Sequence, residues 1–445
     1  MLTYSFTDKG KLPLYDYLYQ CIKSDILHGK LKAEEKLPSK RSLAQNLKVS
    51  VITVENAYAQ LMVEGYIFAI QKKGYYVSDL EESVPPVLKQ RMAPVESKEP
   101  QPQHQWFFDL TANRISAAHF PFSIWSKLMR EVLSEQDTQL LKATPYNGVA
   151  KLREVIAEYL YHFRGMSVSA DQIIVGAGTE YLYNLLIQLL GRDHIYAVEN
   201  PGYQKIAKIY KSNDVSCRYI DMDEYGLSAD ILKDSDASVV HLSPSHHYPT
   251  GIVMPIGRRQ ELLSWANAEK NRYIIEDDYD SEFRFAGRPI QTLQSIDDNQ
   301  RVIYINTFSK SIAPSIRISY LVLPPGLVPV YREKLGFYSC TVPSFEQYTL
   351  AKFIAGGYFE KHINRMKKFY RIQRDLVIKA IEESRFHDSV QILEEDAGLH
   401  FLLKVDTDRS DREIIQAAAD ADIKISCLSE YLHTPDQRFA HTILI

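Results

Sequence analysis

The stretch that decides the fold is Val302-Ile-Tyr-Ile-Asn-Thr-Phe-Ser-Lys310-Ser-Ile-Ala-Pro-Ser-Ile-Arg317. Its β-branched and aromatic beginning predicts a buried strand of a parallel sheet, and a polar turn with Lys310 follows. Because ligands of open α/β sheets lie beyond the carboxyl ends of the strands, we expect Lys310 at a site of chemistry. A lysine amine in such a turn suits a Schiff base with an aldehyde cofactor, and Arg317 suits the phosphate of that cofactor.

A second predicted strand, Tyr273-Ile-Ile-Glu-Asp-Asp-Tyr279, ends in carboxylates and supports this interpretation. A pyridine ring that must stay protonated to withdraw electrons needs one buried carboxylate at its nitrogen. Side chains alternate along a strand, so we expect Asp277 and Tyr279 on one face and Asp278 on the other. Without this second element, a lone lysine would more simply be a solvated loop residue.

The two segments resemble the aspartate and lysine strands of fold-type I aminotransferases, which use pyridoxal 5'-phosphate (PLP). The residues Glu276-Asp-Asp-Tyr-Asp-Ser-Glu-Phe-Arg284, followed by Asn306-Thr-Phe-Ser-Lys-Ser311, resemble more narrowly the MocR/GabR family of bacterial regulators. Members of that family join a DNA-binding domain to an aminotransferase-like domain. The resemblance implies that Lys310 forms the Schiff base, that Asp277 binds the ring nitrogen and that Tyr279 binds the phenolic oxygen of the cofactor. It also implies two further cofactor contacts, Thr307 and Arg317.

Composition bounds the class of protein. A chain of 445 residues suggests two or three domains, and 45% apolar with 24% charged residues is typical of a globular protein in water. The net charge is −4, but residues 1–80 carry +3, which hints at a nucleic-acid partner for that part alone. Scattered cysteines, no signal-peptide pattern and no apolar run of about 18 residues favour a cytoplasmic protein without membrane contact.

The first 80 residues predict three helices followed by a hairpin. Apolar spacing indicates a helix in residues 13–28, Ser39 and Ser50 are N-cap candidates for the next two helices, and Gly65 ends the third. Two short strands then surround Gln71-Lys-Lys-Gly74. This is the pattern of a winged helix-turn-helix, mainly α with a β-hairpin wing, whose third helix enters the major groove of DNA. A three-helix protein-interaction module is the less favoured alternative.

This part of the chain resembles the GntR-type DNA-binding domain in Leu37-Pro-Ser-Lys-Arg-Ser-Leu-Ala44, Thr53-Val-Glu-Asn-Ala-Tyr58 and Glu64-Gly-Tyr-Ile67. The candidate DNA contacts surround the third helix and the wing: Lys36, Ser39, Lys40, Arg41, Ser50, Thr53, Asn56, Lys72 and Lys73. The family usually has an arginine directly after the cap serine of the third helix, where this chain has Val51. Base readout is therefore expected from Thr53, Asn56 and the region of Arg41.

A proline-rich linker, residues 81–106, separates this domain from a body of residues 107–445. Alternating strands and helices predict an α/β body with a mainly parallel sheet, and the resemblance implies the type I aminotransferase-like fold. The expected large subdomain covers about residues 140–325, and the small subdomain covers about residues 326–445 together with 107–139.

A glycine turn follows the strand predicted for residues 171–175, and a helix starts at Glu180. Such a turn offers backbone N–H groups and the positive end of the helix dipole to a phosphate. Gly178 and Thr179 are therefore candidates for phosphate binding, a role that the resemblance to PLP enzymes also implies. The turn alone is weak evidence, because many strand-to-helix turns contain glycine.

The resemblance assigns further residues in the body. Tyr203 stands where the family places an aromatic ring against the pyridine, although capping the next helix is an equal alternative. Tyr146 belongs to a segment that reaches the phosphate of a partner subunit, which implies a domain-swapped homodimer. Tyr248 stands where aminotransferases have asparagine, which argues against efficient turnover. Arg438 is the candidate for binding the carboxylate of an effector.

The adjacent His246 and His247 invite comparison with a metal site. With no cysteine or acidic partner expected near them, we predict that they bind no metal.

Two motif sets on one chain predict a PLP-dependent transcriptional regulator. In this hypothesis a small amine or amino acid displaces Lys310, forms an external aldimine with PLP, and changes how the DNA-binding domains sit on a double-stranded operator. Two alternatives stay open: a competent aminotransferase with an appended DNA-binding domain, and a sensor of PLP itself that controls cofactor synthesis.

Overall fold

A computed structural model describes residues 2–6, 9–80, 104–111, 119–135, 137–285, 290–396 and 398–445. The chain divides into two compact units, residues 1–104 and 105–445. Most of the predicted linker, residues 81–103, lies outside the described residues. Across the described ranges, no helix combines the length and the apolar character that crossing a membrane requires.

The first unit consists of three helices and a hairpin: α1 (Leu14–Leu27), α2 (Lys40–Leu47), α3 (Val51–Val63), β1 (Ile67–Ile70) and β2 (Gly74–Val77). The Ser39 hydroxyl accepts a hydrogen bond from the Ser42 N–H at 3.1 Å, and the Ser50 hydroxyl accepts one from the Thr53 N–H at 3.1 Å. These caps satisfy N–H groups that a helix start leaves without partners, so α2 and α3 begin directly after the two serines.

The three helices enclose a small apolar core. Leu18 and Ile22 of α1, Leu43 of α2, and Val54 and Leu61 of α3 are completely buried in one cluster. β1 and β2 pair antiparallel, and the turn between them carries the two lysines of the wing. The winged helix-turn-helix prediction is confirmed by this order of elements.

The second unit alternates strands and helices and then adds a second sheet. Its elements are β3 (Phe108–Asp109), α4 (Phe122–Glu135), α5 (Asp137–Leu140), α6 (Ala150–Arg164), β4 (Ile173–Gly176), α7 (Thr179–Leu190), β5 (Tyr196–Asn200), α8 (Gln204–Ser212), β6 (Cys217–Asp223), β7 (Gly226–Leu227), α9 (Ala229–Asp234), β8 (Val239–Leu242), α10 (Ile256–Ala268), β9 (Tyr273–Asp277), β10 (Val302–Thr307), α11 (Phe308–Ser311), β11 (Ser319–Val322), α12 (Leu327–Leu335), α13 (Ser344–Ala355), α14 (Tyr358–Glu382), β12 (Val390–Leu393), β13 (Leu402–Val405), α15 (Asp411–Asp420), β14 (Ile423–Lys424), β15 (Ser426–Cys427) and β16 (Thr442–Leu444).

The main sheet has eight strands in the order β4-β11-β10-β9-β8-β5-β6-β7. Neighbours from β10 to β6 pair in parallel, whereas β11 is antiparallel to both β10 and β4. Val302 pairs with Ile274 and Ile305 pairs with Asp277, so β9 and β10 end side by side. The carboxyl ends of these two strands therefore bring Asp277 and the turn with Lys310 to the same edge of the sheet.

Helices cover both faces of this sheet because its central strands are apolar on both sides. Every residue of β10 is buried. Ile303 and Ile305 belong to one core cluster with Leu186 of α7, whereas Tyr304 belongs to another with Phe359 of α14. The mainly parallel α/β prediction is confirmed by this arrangement.

A second sheet lies near the end of the chain, in the antiparallel order β12-β13-β16-β15. Beside it, β3 pairs in parallel with β14, so residues near 108 join a segment near 423. The proposed subdomain boundaries place both of these segments in the small subdomain.

Candidate cofactor site and DNA-binding surface

The turn after β10 positions Lys310. Thr307 is the N-cap of α11, and its hydroxyl accepts a hydrogen bond from the Ser309 N–H at 3.1 Å. The Ser319 hydroxyl of β11 donates a second hydrogen bond to the Thr307 hydroxyl at 2.7 Å. Thr307 therefore uses its hydroxyl to shape the turn that carries Lys310.

The Lys310 side chain is half-buried. Burial lowers the pKa of this amine because the ammonium form loses its hydration, and the Asp280 carboxylate partly opposes that change. A lowered pKa increases the neutral fraction of the amine near neutral pH, and the neutral amine is the form that attacks an aldehyde. The surroundings of Lys310 therefore suit Schiff-base chemistry.

Asp277 ends β9 and is buried. Its Oδ2 atom accepts a hydrogen bond from the Tyr183 hydroxyl, and His241 Nε2 lies 3.5 Å from the same oxygen. Its Oδ1 atom is buried and has no hydrogen-bond partner among the described residues. A buried carboxylate oxygen without a partner is costly, and a protonated pyridine nitrogen would supply that partner.

Asp278 faces different surroundings. Its Oδ2 atom lies 2.7 Å from Arg164 Nη2, and both side chains are buried. Glu276 and Glu282 belong to the same buried group, where burial, with the Asp278 charge as a second cause, raises the pKa of Glu276 to about 7 and of Glu282 to about 8. The side chains of Asp277 and Asp278 thus point in opposite directions and have different partners, as the alternation of side chains along a strand predicts.

The glycine turn before α7 lies beside Arg317. Gly178 precedes α7 with φ +94°, and a Cβ added there would lie 2.5 Å from Arg317 Nη2. The Arg317 guanidinium also donates to the Ala177 carbonyl at 3.5 Å and lies 3.6 Å from Glu180 Oε2. Thr179 is the first residue of α7, so its N–H is one of the groups left free at the helix start. The turn and the arginine form a cradle suited to phosphate.

A cluster of histidines and a carboxylate adjoins Tyr279. His246 Nδ1 lies 2.7 Å from Asp280 Oδ2 and 3.3 Å from the Tyr279 hydroxyl. The His400 ring lies 4.3 Å from the His246 ring, and burial lowers the pKa of His400 well below its usual value. The expectation that His246 lacks an acidic partner is therefore wrong. Ligand atoms of His246, Asp280 and His400 lie within 4.8 Å of one another, a spacing that a metal ion could use.

Three tyrosines line the same region. The Tyr203 ring meets the Tyr248 ring edge-on at 5.8 Å, and the Tyr248 and Tyr279 rings are 6.5 Å apart. Tyr203 stands before α8 but makes no side-chain capping hydrogen bond. The Tyr203 side chain is 45% exposed, and its partial burial raises the pKa of its hydroxyl. The Tyr248 hydroxyl is hydrogen-bonded to the Tyr431 hydroxyl at 2.8 Å.

Tyr146 was predicted to bind the phosphate of a partner subunit and Arg438 to bind an effector, and within the single chain both contact other residues. The Tyr146 hydroxyl accepts a hydrogen bond from Arg332 Nε at 3.4 Å. Arg438 Nη2 lies 2.6 Å from Asp436 Oδ2; this bond raises the pKa of Arg438, and the carboxylates of Asp221 and Asp223 add to the effect. Asp221 and Asp223 belong to β6, which β9, β8 and β5 separate from β10. Within the single chain, the hydrogen-bond partner of the Arg438 guanidinium is Asp436.

The candidate DNA contacts of the first unit fall into two groups. The hydroxyls of Ser39, Ser50 and Thr53 take part in helix caps, and the Ser50 and Thr53 hydroxyls lie 2.8 Å apart. Lys40 Nζ lies 2.6 Å from Glu55 Oε1. The other candidates have exposed side chains: Lys36, Arg41, Asn56, Lys72 and Lys73.

Sequence reasoning missed Tyr183, which donates a hydrogen bond to the Asp277 carboxylate, and His241, whose Nε2 lies 3.5 Å from it. Tyr183 lies on α7 and His241 lies on β8, and both are buried. No motif marks Tyr183. His241 interrupts the apolar run Val239–Leu242, and a polar residue inside a buried strand was a signal that could have identified it.

The chain matches two family models. Residues 107–439 match the aminotransferase class I and II family, and residues 14–77 match the bacterial regulatory proteins of the gntR family. The uncharacterized HTH-type transcriptional regulator YdeL of Bacillus subtilis (strain 168) is 38% identical over 425 residues, which cover 95% of this chain and 91% of that protein. The probable rhizopine catabolism regulatory protein MocR of Rhizobium meliloti is 30% identical over 447 residues, covering 96% and 89%.

Among solved structures, the kynurenine aminotransferase of Pyrococcus horikoshii is similar with a TM-score of 0.67 and 25% identity. The match covers 76% of this chain and 85% of that one. The similarity lies in the aminotransferase fold, while the gntR match accounts for the beginning of the chain.

Fold and site together define a DNA-binding transcription regulator with a GntR-type winged helix-turn-helix and a type I aminotransferase-like domain. The chain belongs to the MocR/GabR family of such regulators. Its cofactor is PLP. The residues present fit that group through the Oδ1 of Asp277, which has no hydrogen-bond partner within the described part of the chain, the cradle at Gly178 and Arg317, and the half-buried Lys310.

Proposed function

We propose that the regulator senses a small amine or amino acid at Lys310 and converts its binding into a change at the operator. The aldehyde of PLP forms C=N bonds with primary amines, so Lys310 and a free amine compete for the same carbon. The observation that carries this proposal is the turn after β10, which holds Lys310 at the same edge of the sheet as Asp277, on a chain that also has a gntR-type domain.

The residues of the site have separate roles in binding the cofactor. Asp277 is suited to hold a proton on the ring nitrogen through its free Oδ1, and the turn at Gly178 with Arg317 is suited to anchor the phosphate. When a ligand amine takes the place of Lys310, the released lysine stays beside Asp280, which stabilises the lysine if it takes up a proton. The anchored cofactor would thus keep its position while its covalent partner changes.

The hydrogen bond between Tyr248 and Tyr431 offers a route from the ligand to the C-terminal part of the chain. Tyr248 lies between Tyr203 and Tyr279 at the site, and Tyr431 follows β15. A ligand that moves the tyrosine rings would change this contact. Regulation then needs a ligand that favours one arrangement over the other by about 1–3 kcal/mol.

We infer a domain-swapped homodimer that acts in the cytoplasm, where its operator lies. Tyr146 would reach the phosphate of the partner subunit. Complementation tests this idea: Tyr146→Ala and Lys310→Ala chains, each defective in PLP binding, are mixed. Heterodimers would contain one intact site and recover tight PLP binding, whereas no recovery in a verified heterodimer contradicts exchange of Tyr146.

The sensing proposal is tested by titrating the PLP-loaded chain with a panel of amines and amino acids. We expect one chemical class to change both the visible absorbance and the affinity for a duplex selected from a random DNA library. The Lys310→Ala chain has no lysine amine for the ligand to displace, so its affinity for that duplex should no longer follow the change in absorbance. Repeated turnover of an amino donor and a keto acid without any effect on DNA would instead favour an aminotransferase.

A second candidate function is sensing of PLP itself. The HTH-type pyridoxine biosynthesis transcriptional regulator PdxR of Corynebacterium glutamicum is 29% identical over 414 residues, 93% of this chain and 88% of that protein. This similarity favours PLP as a direct effector. DNA binding by cofactor-free and PLP-loaded protein, compared without any amine, separates the two candidates.

A further inference from the structure

The start of α3 exposes two aliphatic side chains. Val51 and Ile52, the first two residues of the helix, are 43% and 67% exposed. The second helix of a helix-turn-helix lies in the major groove and contacts base edges with its N-terminal residues. These two side chains therefore stand at the end of α3 that meets the bases.

The cap holds both side chains in this position. The Ser50 hydroxyl accepts a hydrogen bond from the Thr53 N–H and lies 2.8 Å from the Thr53 hydroxyl, which fixes the first turn. Val54, one residue further, is completely buried in the core of the first unit and fixes the inner face of the helix. Val51 and Ile52 consequently cannot turn inward without breaking the cap or the core.

The other exposed residues of the first two turns are Glu55 and Asn56. Glu55 Oε1 lies 2.6 Å from Lys40 Nζ, so this carboxylate already has a cationic partner. The sequence of α3 contains no lysine or arginine, the residues that bind guanine O6 and N7. Asn56 carries the amide that pairs well with adenine N6 and N7.

The chemical groups exposed in the major groove indicate which base these two side chains contact. The C5-methyl group of thymine is the apolar group that distinguishes base edges there, and aliphatic side chains recognise it by contact. We propose that Val51 and Ile52 contact thymine methyl groups, so that the operator carries A·T pairs where the start of α3 enters the groove. The adenine preference of Asn56 agrees with the same base pairs.

Replacing thymine by uracil removes only the methyl group and leaves base pairing intact. Losing the burial of one methyl corresponds to about a fourfold weaker binding, from about 0.8 kcal/mol per buried carbon. The experiment starts with the full-length, PLP-loaded chain and a duplex selected from a random library at fixed salt. Each thymine of that duplex is then replaced singly by uracil, and the affinity of the wild-type chain is measured.

We expect about a fourfold loss at one or two positions for the wild type. That penalty should disappear in Val51→Ala or Ile52→Ala, because the side chain that senses the methyl is gone. Val63→Ala is the matched control, since Val63 is 84% exposed at the opposite end of the same helix. Its uracil penalties should equal those of the wild type.

The proposal is overturned if the wild type tolerates uracil at every position, or if the alanine variants keep the wild-type penalties. A third result would also overturn it. If Val51→Ala and Ile52→Ala change self-association of the chain while base preference stays the same, the exposed pair serves a protein contact instead.

Discussion

Arg164 Nη2 lies 2.7 Å from Asp278 Oδ2, and the two side chains are only 2% and 1% exposed. The same guanidinium donates to the Ser245 hydroxyl at 3.1 Å. This contact ties the end of α6 to the residue that follows β9. The side chain of Asp277, the preceding residue, points away from this ion pair and contacts Tyr183. The buried ion pair of Asp278 therefore fixes the backbone directly beside the carboxylate of the cofactor site.

Removing Arg164 should destabilise the second unit strongly. Arg164→Leu leaves the Asp278 carboxylate buried without its cation, and we expect the free energy of unfolding to fall by about 3–5 kcal/mol. Chemical denaturation of the PLP-loaded chain measures the change. Arg218→Leu is the control, because its pair with Asp236 is 45% and 54% exposed, and solvent-exposed pairs contribute little to the free energy of unfolding. Equal effects of the two variants would contradict a structural role for the buried pair.

Stability should fall as pH rises toward mild alkalinity. The pKa of Glu282 is raised to about 8, chiefly by burial, so the folded protein holds a proton that the unfolded chain releases at lower pH. The folded state therefore loses stability progressively between the ordinary glutamate pKa near 4.5 and about 8. Glu282→Gln should flatten the decline in melting temperature across this window. Glu383→Gln, at a surface position, should leave the decline unchanged, and an unaltered profile in Glu282→Gln would count against the assignment.

Gly178→Ala should weaken PLP binding. A Cβ there would lie 2.5 Å from Arg317 Nη2, and φ +94° disfavours any side chain. Strain of about 1–3 kcal/mol corresponds to a loss of affinity of about 5- to 150-fold, which equilibrium binding of PLP to the apoprotein measures. Gly257→Ala should bind PLP normally, because its Cβ meets nothing within 4 Å. Unchanged affinity in Gly178→Ala would remove the phosphate role of this turn.

Lys72→Gln should reduce the salt dependence of DNA binding. Lys72 stands exposed between β1 and β2, where a wing can contact phosphate. Loss of one phosphate contact should lower the slope of log affinity against log salt by about 0.9. Lys379→Gln, on α14 of the other unit, should leave the slope as in the wild type. If both variants keep the wild-type slope, the wing tip does not contact DNA at this residue.

Local sequence patterns were sufficient to predict the strands that precede Lys310 and end at Asp277. In both places an apolar run ends in polar residues, and that contrast marks the carboxyl end of a buried strand. The serine caps of α2 and α3 are equally local, because a cap and its N–H partner are close in sequence. Patterns of this kind predict elements and their ends.

Contacts between distant parts of the chain lay beyond the same reasoning. His246 meets Asp280 only because β8 and β9 are neighbours in the sheet. Arg438 was predicted to bind the carboxylate of an effector, and in the single chain the carboxylate of Asp436, two residues away in sequence, binds its guanidinium. Spacing along the chain does not predict which of several possible partners a charged side chain will contact.

The covalent role of Lys310 is the central claim, and chemical trapping tests it most directly. The PLP-loaded chain is treated with borohydride, which reduces a C=N bond to a stable amine, then digested and mapped by mass spectrometry. We expect a phosphopyridoxyl group on the peptide that contains Lys310, and none on that peptide in the Lys310→Ala chain. A modification located only on other lysines, or none at all, would contradict a Schiff base at Lys310.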